Sequence, residues 1–89
     1  MKKIILLIIL LISFQLNAIE ISGIVSEKLL GTNLEGAIII LKGKQKFAKT
    51  DKDGKFNIDA EIGDFLIIMK KEFKNKEFEI KENSLNIEL

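Results

Sequence analysis

Beyond residue 18, apolar and polar residues follow the two-residue period of β-strands. Residues 19–25 are apolar or glycine at every second position. Two continuous apolar segments, 37–41 and 65–69, are short enough for strands buried on both faces. We expect them to be central strands that face each other across the core. No segment has a helical period, and the pattern predicts seven short strands in an all-β sandwich or small barrel.

The segment Asp51-Lys52-Asp53-Gly54 contains the strongest turn signal in the chain. Aspartate followed by glycine between two strand-like segments is typical of a β-hairpin, because glycine accepts positive φ. We therefore predict a structural turn at Asp51, Asp53 and Gly54 that joins two paired strands.

Most of the aromatic residues are expected in the core, because the domain is small and has few other large apolar groups. Four phenylalanines fit core positions, and Phe47 is the least certain core candidate. The four are Phe56, Phe65, Phe73 and Phe78.

The N-terminal segment differs in composition from the rest. Lys2 and Lys3 precede an unbroken run of Ile and Leu at residues 4–12. A positive start, an apolar run of about 7–15 residues and a small residue at the cut are typical of a secretory signal peptide. A membrane anchor, the alternative, needs about 20 predominantly apolar residues. We predict a signal peptide at residues 1–18, cleaved after Ala18, and an exported domain at residues 19–89.

Cleavage changes the charge of the chain. The sequence has 14 lysines and 13 acidic residues, and the predicted signal peptide contains two of the lysines and none of the acids. The remaining 12 lysines and 13 acids give a formal charge of −1, so there is no electrostatic reason to expect nucleic acid or an anionic membrane as partner. Cysteine is absent, so stability must come from packing, from oligomerisation or from a partner rather than from disulfides.

Missing residue types also restrict the chemistry. The sequence has no His, Cys, Arg, Tyr or Trp. This composition excludes Ser-His-Asp and Cys-His catalysis, and zinc sites built on His or Cys. We therefore expect no enzyme activity, catalytic residue, cofactor or metal.

Two acidic groups have alternative interpretations. Asp51, Asp53 and Asp59 could supply oxygen ligands for calcium, but the spacing of Gly54 differs from that of an EF-hand loop and favours a turn. Glu77 and Glu79 could act as paired carboxylates, but neighbouring lysines favour a solvated charged face.

Three motifs, in this order, resemble the carboxypeptidase regulatory-like domains of exported bacterial proteins. They are Ile-Ser-Gly-Ile-Val at 21–25, Leu-Glu-Gly-Ala at 34–37, and Thr-Asp-Lys-Asp-Gly-Lys-Phe at 50–56. The chain departs from the family pattern at Glu35, where proline is usual, and at Glu72-Phe73, where Gly-Tyr is common. The resemblance covers residues 19–89 and implies a seven-stranded transthyretin-like or Ig-like β-sandwich.

The resemblance also implies a function. Such domains often precede the plug of TonB-dependent outer-membrane receptors, so we expect a stand-alone or truncated accessory module in the periplasm or at the outer membrane. Its expected partner is another envelope protein bound through a sheet edge or face, with no nucleic acid and no transmembrane span after cleavage.

The alternative function is a carbohydrate- or surface-ligand-binding module of the envelope. It would use the loops around Gly31, Lys44 and Asp53, although Trp and Tyr, the usual sugar-stacking residues, are absent.

Overall fold

The computed structural model describes residues 18–89, which form seven β-strands. The strands are β1 (Ile19–Ser26), β2 (Ile38–Leu41), β3 (Phe47–Lys49), β4 (Lys55–Ala60), β5 (Phe65–Met69), β6 (Lys76–Glu79) and β7 (Ser84–Glu88). Within this range, no helix has the length and apolar character needed to cross a membrane. The predicted signal peptide lies outside the described residues except for Ala18, which is exposed and directly precedes β1.

The strands form two sheets. The three-stranded sheet has the order β4-β1-β7, with β1 antiparallel to β4 and parallel to β7. The four-stranded sheet has the order β3-β2-β5-β6 and is antiparallel throughout. The prediction of a seven-stranded, all-β sandwich is therefore confirmed.

Alternate residues of the strands meet in one core between the sheets, as the two-residue period requires. β4 has the clearest alternation, with Phe56, Ile58 and Ala60 buried and the intervening residues exposed. The other buried apolar residues are Ile21, Val25, Ala37, Ile39, Leu41, Leu66, Ile68, Ile80, Leu85 and Ile87.

The two apolar segments are central strands, as predicted, but they lie in the same sheet, and the prediction that they face each other across the core is wrong. They form β2 and β5, which pair side by side with Ile38 opposite Met69 and Ile40 opposite Ile67. Only alternate residues of each strand are buried. The reason is architectural, because residues 18–89 form two layers and supply no third layer to cover the outer face of these strands.

The prediction of a β-hairpin around Asp51–Gly54 is also wrong, because β3 and β4 belong to different sheets. The chain turns a corner there. The Asp51 carboxylate accepts hydrogen bonds from the backbone N–H groups of Asp53, at 2.8 Å, and Lys55, at 3.0 Å. Gly54 has a φ of 76°, and a Cβ at this position would lie 2.6 Å from the carbonyl oxygen of Val25. The turn therefore packs directly against the end of β1.

Thr50 holds the same corner from inside and is buried. Its Oγ1 donates a hydrogen bond to the carbonyl oxygen of Leu34 at 2.6 Å and accepts one from the N–H of Ala37 at 2.8 Å. The backbone of Thr50 also exchanges hydrogen bonds with Gly36 and Ala37. Two of the sequence motifs, 34–37 and 50–56, are thus joined through one side chain.

Glu72, which stands where the family pattern has glycine, has an unusual backbone conformation. Glu72 has a φ of 75° and is the one non-glycine residue with positive φ among residues 18–89. The turn between β5 and β6 thus has the left-handed conformation that glycine adopts most readily.

Candidate protein-binding face

The outer surface of the four-stranded sheet carries large apolar side chains on three adjacent strands. We call this surface the apolar face. It consists of Ile38 and Ile40 from β2, Phe47 from β3, and Phe65, Ile67 and Met69 from β5.

Strand register makes the apolar face continuous. Phe47, Ile40 and Ile67 lie opposite one another across β3, β2 and β5, and Ile38 lies opposite Met69 in the next row. Directly opposed residues have Cβ atoms about 4.5–5.5 Å apart, so their side chains touch along each row. Phe47 is 75% exposed, Phe65 is 40% exposed and Met69 is 38% exposed. The three isoleucines are half-buried by their neighbours.

The phenylalanine predictions have mixed outcomes. Phe56 is buried, as predicted, and Phe73 and Phe78 are half-buried. Phe65 was expected in the core but points outward, because its neighbours Leu66 and Ile68 occupy the inward positions of β5. In a continuous apolar segment, residue type alone does not show which set of alternate positions points into the core.

Charged side chains of both signs surround the apolar face. Glu77 and Glu79 of β6 lie opposite Ile67 and Phe65. Lys42 Nζ lies 2.8 Å from Glu77 Oε1 and 5.9 Å from the centre of the Phe65 ring. An apolar centre with a polar rim is the usual anatomy of a protein interface.

Two open depressions mark the apolar face. The first has a volume of about 300 Å³ and is lined by Ile38, Ile40, Phe47 and the β2–β3 connection. The second, of about 390 Å³, lies between Ile38, Met69 and the β5–β6 turn. Ile38 borders both depressions, so they form one uneven surface on which side chains of a partner could seat.

The acidic residues considered for catalysis do not form an isolated pair. Glu77 and Glu79 are exposed on the outer side of β6, and Glu77 is engaged by Lys42. Residues 18–89 contain no group of three or more acidic side chains placed to hold a metal ion. This charged strand forms the rim of the apolar face.

Asp51, one of the three aspartates considered as calcium ligands, accepts backbone hydrogen bonds within the turn. The backbone N–H of Lys55, followed by that of Asp53, stabilises the carboxylate and lowers the pKa of Asp51 below its ordinary value. The negative charge of Asp51 therefore supports the corner between the two sheets.

The loops of the alternative ligand-binding hypothesis lie at opposite ends of the sandwich. Gly54, next to Asp53, packs against Asn33 in the loop that contains Gly31. Lys44 lies beyond the other end of β2, where its Nζ is 3.4 Å from Asp64 Oδ2. The structure therefore brings together two of the three loops and separates the third.

Comparison with protein-family models finds no match to this chain. Comparison with curated proteins finds 39% identity over 69 residues with TonB-dependent receptor P26 of Formosa agariphila. The chain resembles a segment of a TonB-dependent receptor. The matched segment is 78% of this chain and 7% of the receptor, so the chain spans a small part of the length of that relative.

The sequence prediction did not identify the apolar face as a surface. Five of its six residues belong to the segments 37–41 and 65–69, which the sequence predicts to be buried on both faces, the usual interpretation of a continuous apolar segment. The sixth, Phe47, is the least certain of the predicted core phenylalanines. One signal could have identified it. A domain of this length forms two layers, so half of each apolar segment must point away from the single core.

Proposed function

We propose that this chain is an exported, non-enzymatic β-sandwich that acts as a protein-binding accessory module. The module is of the carboxypeptidase regulatory-like type and works in the periplasm or at the outer membrane. The observation that carries the proposal is the apolar face, a continuous group of six large apolar side chains on one sheet surface.

Exposure of such a surface to water is unfavourable, and burial gains about 25 cal/mol for each Å² of apolar area removed from solvent. Contiguous apolar patches with polar rims on small domains mark interaction sites. The rim adds specificity, because Lys42, Glu77 and Glu79 favour a partner surface with complementary charges.

The proposed partner is another envelope protein with an apolar surface of its own. The similarity to a segment of a TonB-dependent receptor supports an envelope setting. The plug or barrel region of such a receptor is the specific partner that this proposal favours.

Photo-crosslinking in the native bacterium tests the proposal. The full chain is produced with p-benzoylphenylalanine in place of Phe65 on the apolar face. The matched control carries the same group in place of Asn86, an exposed residue of β7 in the other sheet. We expect position 65, and not position 86, to yield an adduct that mass spectrometry identifies as an envelope protein.

Ile67→Lys, added to the chain that carries p-benzoylphenylalanine at position 65, provides a second control. The side chain of Ile67 points outward from the same strand, so lysine there disrupts the apolar face without entering the core. We expect the adduct from position 65 to disappear while the thermal unfolding midpoint stays close to that of the parent. Equal adducts from positions 65 and 86, or no adduct from position 65, would contradict the proposal.

A further inference from the structure

The edge strands of the two sheets differ in how their free backbone groups are protected. An unprotected edge is a template for pairing with another strand. β3 has only three residues. β6 carries Lys76 in register with Ile68 of the core, and a charge on the inward side discourages pairing. The Nζ of Lys76 also donates to the carbonyl oxygen of Glu88 at 2.9 Å, which occupies part of the free edge of β7.

β4 is the longest edge strand of residues 18–89, with six residues. The hydrogen bonds made by β1 show which backbone groups of β4 are free. Ser22 donates its N–H to Asn83 on the β7 side, whereas Val25 donates to Gly54 on the β4 side. Because antiparallel pairs alternate, Asn57, the register partner of Ser22, directs its N–H and C=O away from β1.

Asp59 has the same orientation as Asn57, because it lies two residues further along the strand. Lys55 also faces the edge, but its backbone N–H and C=O are both bonded to Asp51 of the adjoining turn. Within the described part of the chain, Asn57 and Asp59 thus present backbone groups without a backbone partner.

The surroundings of this edge leave space for another strand. An open groove of about 400 Å³ runs beside it, lined on the β4 side by Asn57, Ile58 and Asp59 and on the opposite side by Phe47 and its neighbours. The inward side chains of β4 are apolar, and the strand contains neither proline nor an inward charge.

We propose that β4 pairs antiparallel with β4 of a second copy of this chain, with Ile58 opposite Ile58. In this register Asn57 of each copy lies opposite Asp59 of the other. The two Asn57–Asp59 pairs each form two backbone hydrogen bonds. The two three-stranded sheets then join into one continuous sheet across a two-fold axis.

The side chains are self-complementary in this register. Lys55 of one copy lies opposite Glu61 of the other, so opposite charges meet at both ends. Asn57 Oδ1 already accepts a hydrogen bond from Ser22 Oγ at 2.9 Å, which leaves the amide N–H groups free to donate to the Asp59 carboxylate of the second copy.

Neighbouring registers are less favourable. With Asn57 opposite Asn57, Lys55 would have to supply backbone groups that Asp51 already occupies. With Asp59 opposite Asp59, like charges would meet directly. This match of the strand to itself argues for a second copy as the occupant, rather than an unrelated strand.

Analytical ultracentrifugation of the full 89-residue chain tests the proposal. We expect a reversible monomer–dimer equilibrium with a Kd below about 1 mM. Asn57→Pro removes an N–H that faces the second copy and no hydrogen bond to β1, so it should weaken dimerisation by about tenfold or more. Asn86→Pro is the matched control, since Asn86 occupies the same kind of position on the free edge of β7 and should leave the Kd unchanged.

Charge-reversal variants test independently whether Lys55 of one copy lies opposite Glu61 of the other. Lys55→Glu and Glu61→Lys should each weaken self-association by about fivefold, because each replaces two favourable pairs with two unfavourable ones. An equal mixture of the two variants should recover dimerisation, since every facing pair is then again of opposite charge. A wild-type chain that stays monomeric to about 1 mM overturns the proposal. So does a dimer that Asn57→Pro leaves intact, or a variant mixture that shows no recovery.

Discussion

Thr50 connects two chain segments that meet only after the sandwich has folded. Its hydroxyl donates to the carbonyl oxygen of Leu34 and accepts from the N–H of Ala37, and the residue is buried. Valine has the same shape without the hydroxyl, so Thr50→Val leaves a buried donor and acceptor unpaired. We expect Thr50→Val to lower the free energy of unfolding by about 1–3 kcal/mol, measured by urea denaturation.

The matched control is Thr50→Ser, which keeps the hydroxyl and loses one methyl group. It should be less destabilising than valine. If serine and valine destabilise equally, packing of the methyl group rather than the two hydrogen bonds explains the role of Thr50.

The lowered pKa of Asp51 predicts that the stability of the protein at this corner depends on pH. Hydrogen bonds from the backbone of Lys55 and Asp53 lower the pKa of Asp51 in the folded protein relative to its ordinary value of 3.8. A lowered folded pKa contributes stability that is present above the unfolded pKa and lost as pH falls through the folded pKa. We expect Asp51→Asn to be less stable than wild type at neutral pH, with the difference shrinking below about pH 4.

Urea midpoints of the two proteins between neutral and acidic pH measure this difference. Asp53→Asn is the control, because the side chain of Asp53 accepts no hydrogen bond from the residues that the structure describes. A difference between Asp51→Asn and wild type that stays constant with pH would assign the stabilisation to shape rather than to charge.

At the scale of elements, β1 and β4 pack closely where Gly23 lies opposite Phe56. Gly23 is buried and lies opposite Phe56, and a Cβ at Gly23 would lie 2.5 Å from two atoms of the Phe56 ring. The ring therefore covers the glycine, which gives a physical reason for glycine in the first sequence motif. We expect Gly23→Ala to destabilise the protein by about 1–3 kcal/mol through overpacking, measured by urea denaturation.

A double-mutant cycle identifies the cause. In a Phe56→Leu background the ring is absent, so Gly23→Ala should be less destabilising there than in wild type. Strictly additive effects of the two substitutions would rule out contact with Phe56 as the reason.

Local patterns predicted the strands better than their partners. The alternation around Phe56 and Ile58 predicts both the strand and its buried face, because polar residues mark the opposite side. Segment 65–69 predicts a strand but not a face, because every position is apolar. The Asp-Gly pattern at 53–54 indicates the turn but not its outcome, since one tight turn can join neighbouring strands or pass between sheets.

At the scale of the whole molecule, the two sheets have different surfaces. The four-stranded sheet carries the apolar face, and the three-stranded sheet carries the unprotected edge of β4. These features lie on different sheets, so binding of an envelope partner and pairing of two copies use mainly separate surfaces. Phe47 is the shared element, because it belongs to the apolar face and also borders the groove beside β4.

The two-residue period, together with turn residues such as Gly54, accounts for seven strands and an all-β fold because both are local properties of the chain. The resemblance in motif order pointed to the same class of receptor as the 39% identity found by comparison. The pairing of β2 with β5, the crossing between sheets at Asp51 and the exposure of Ile40 and Phe65 depend on contacts between segments far apart in the sequence. A continuous apolar segment is compatible with either face being buried, and only the number of layers around it decides which side meets water.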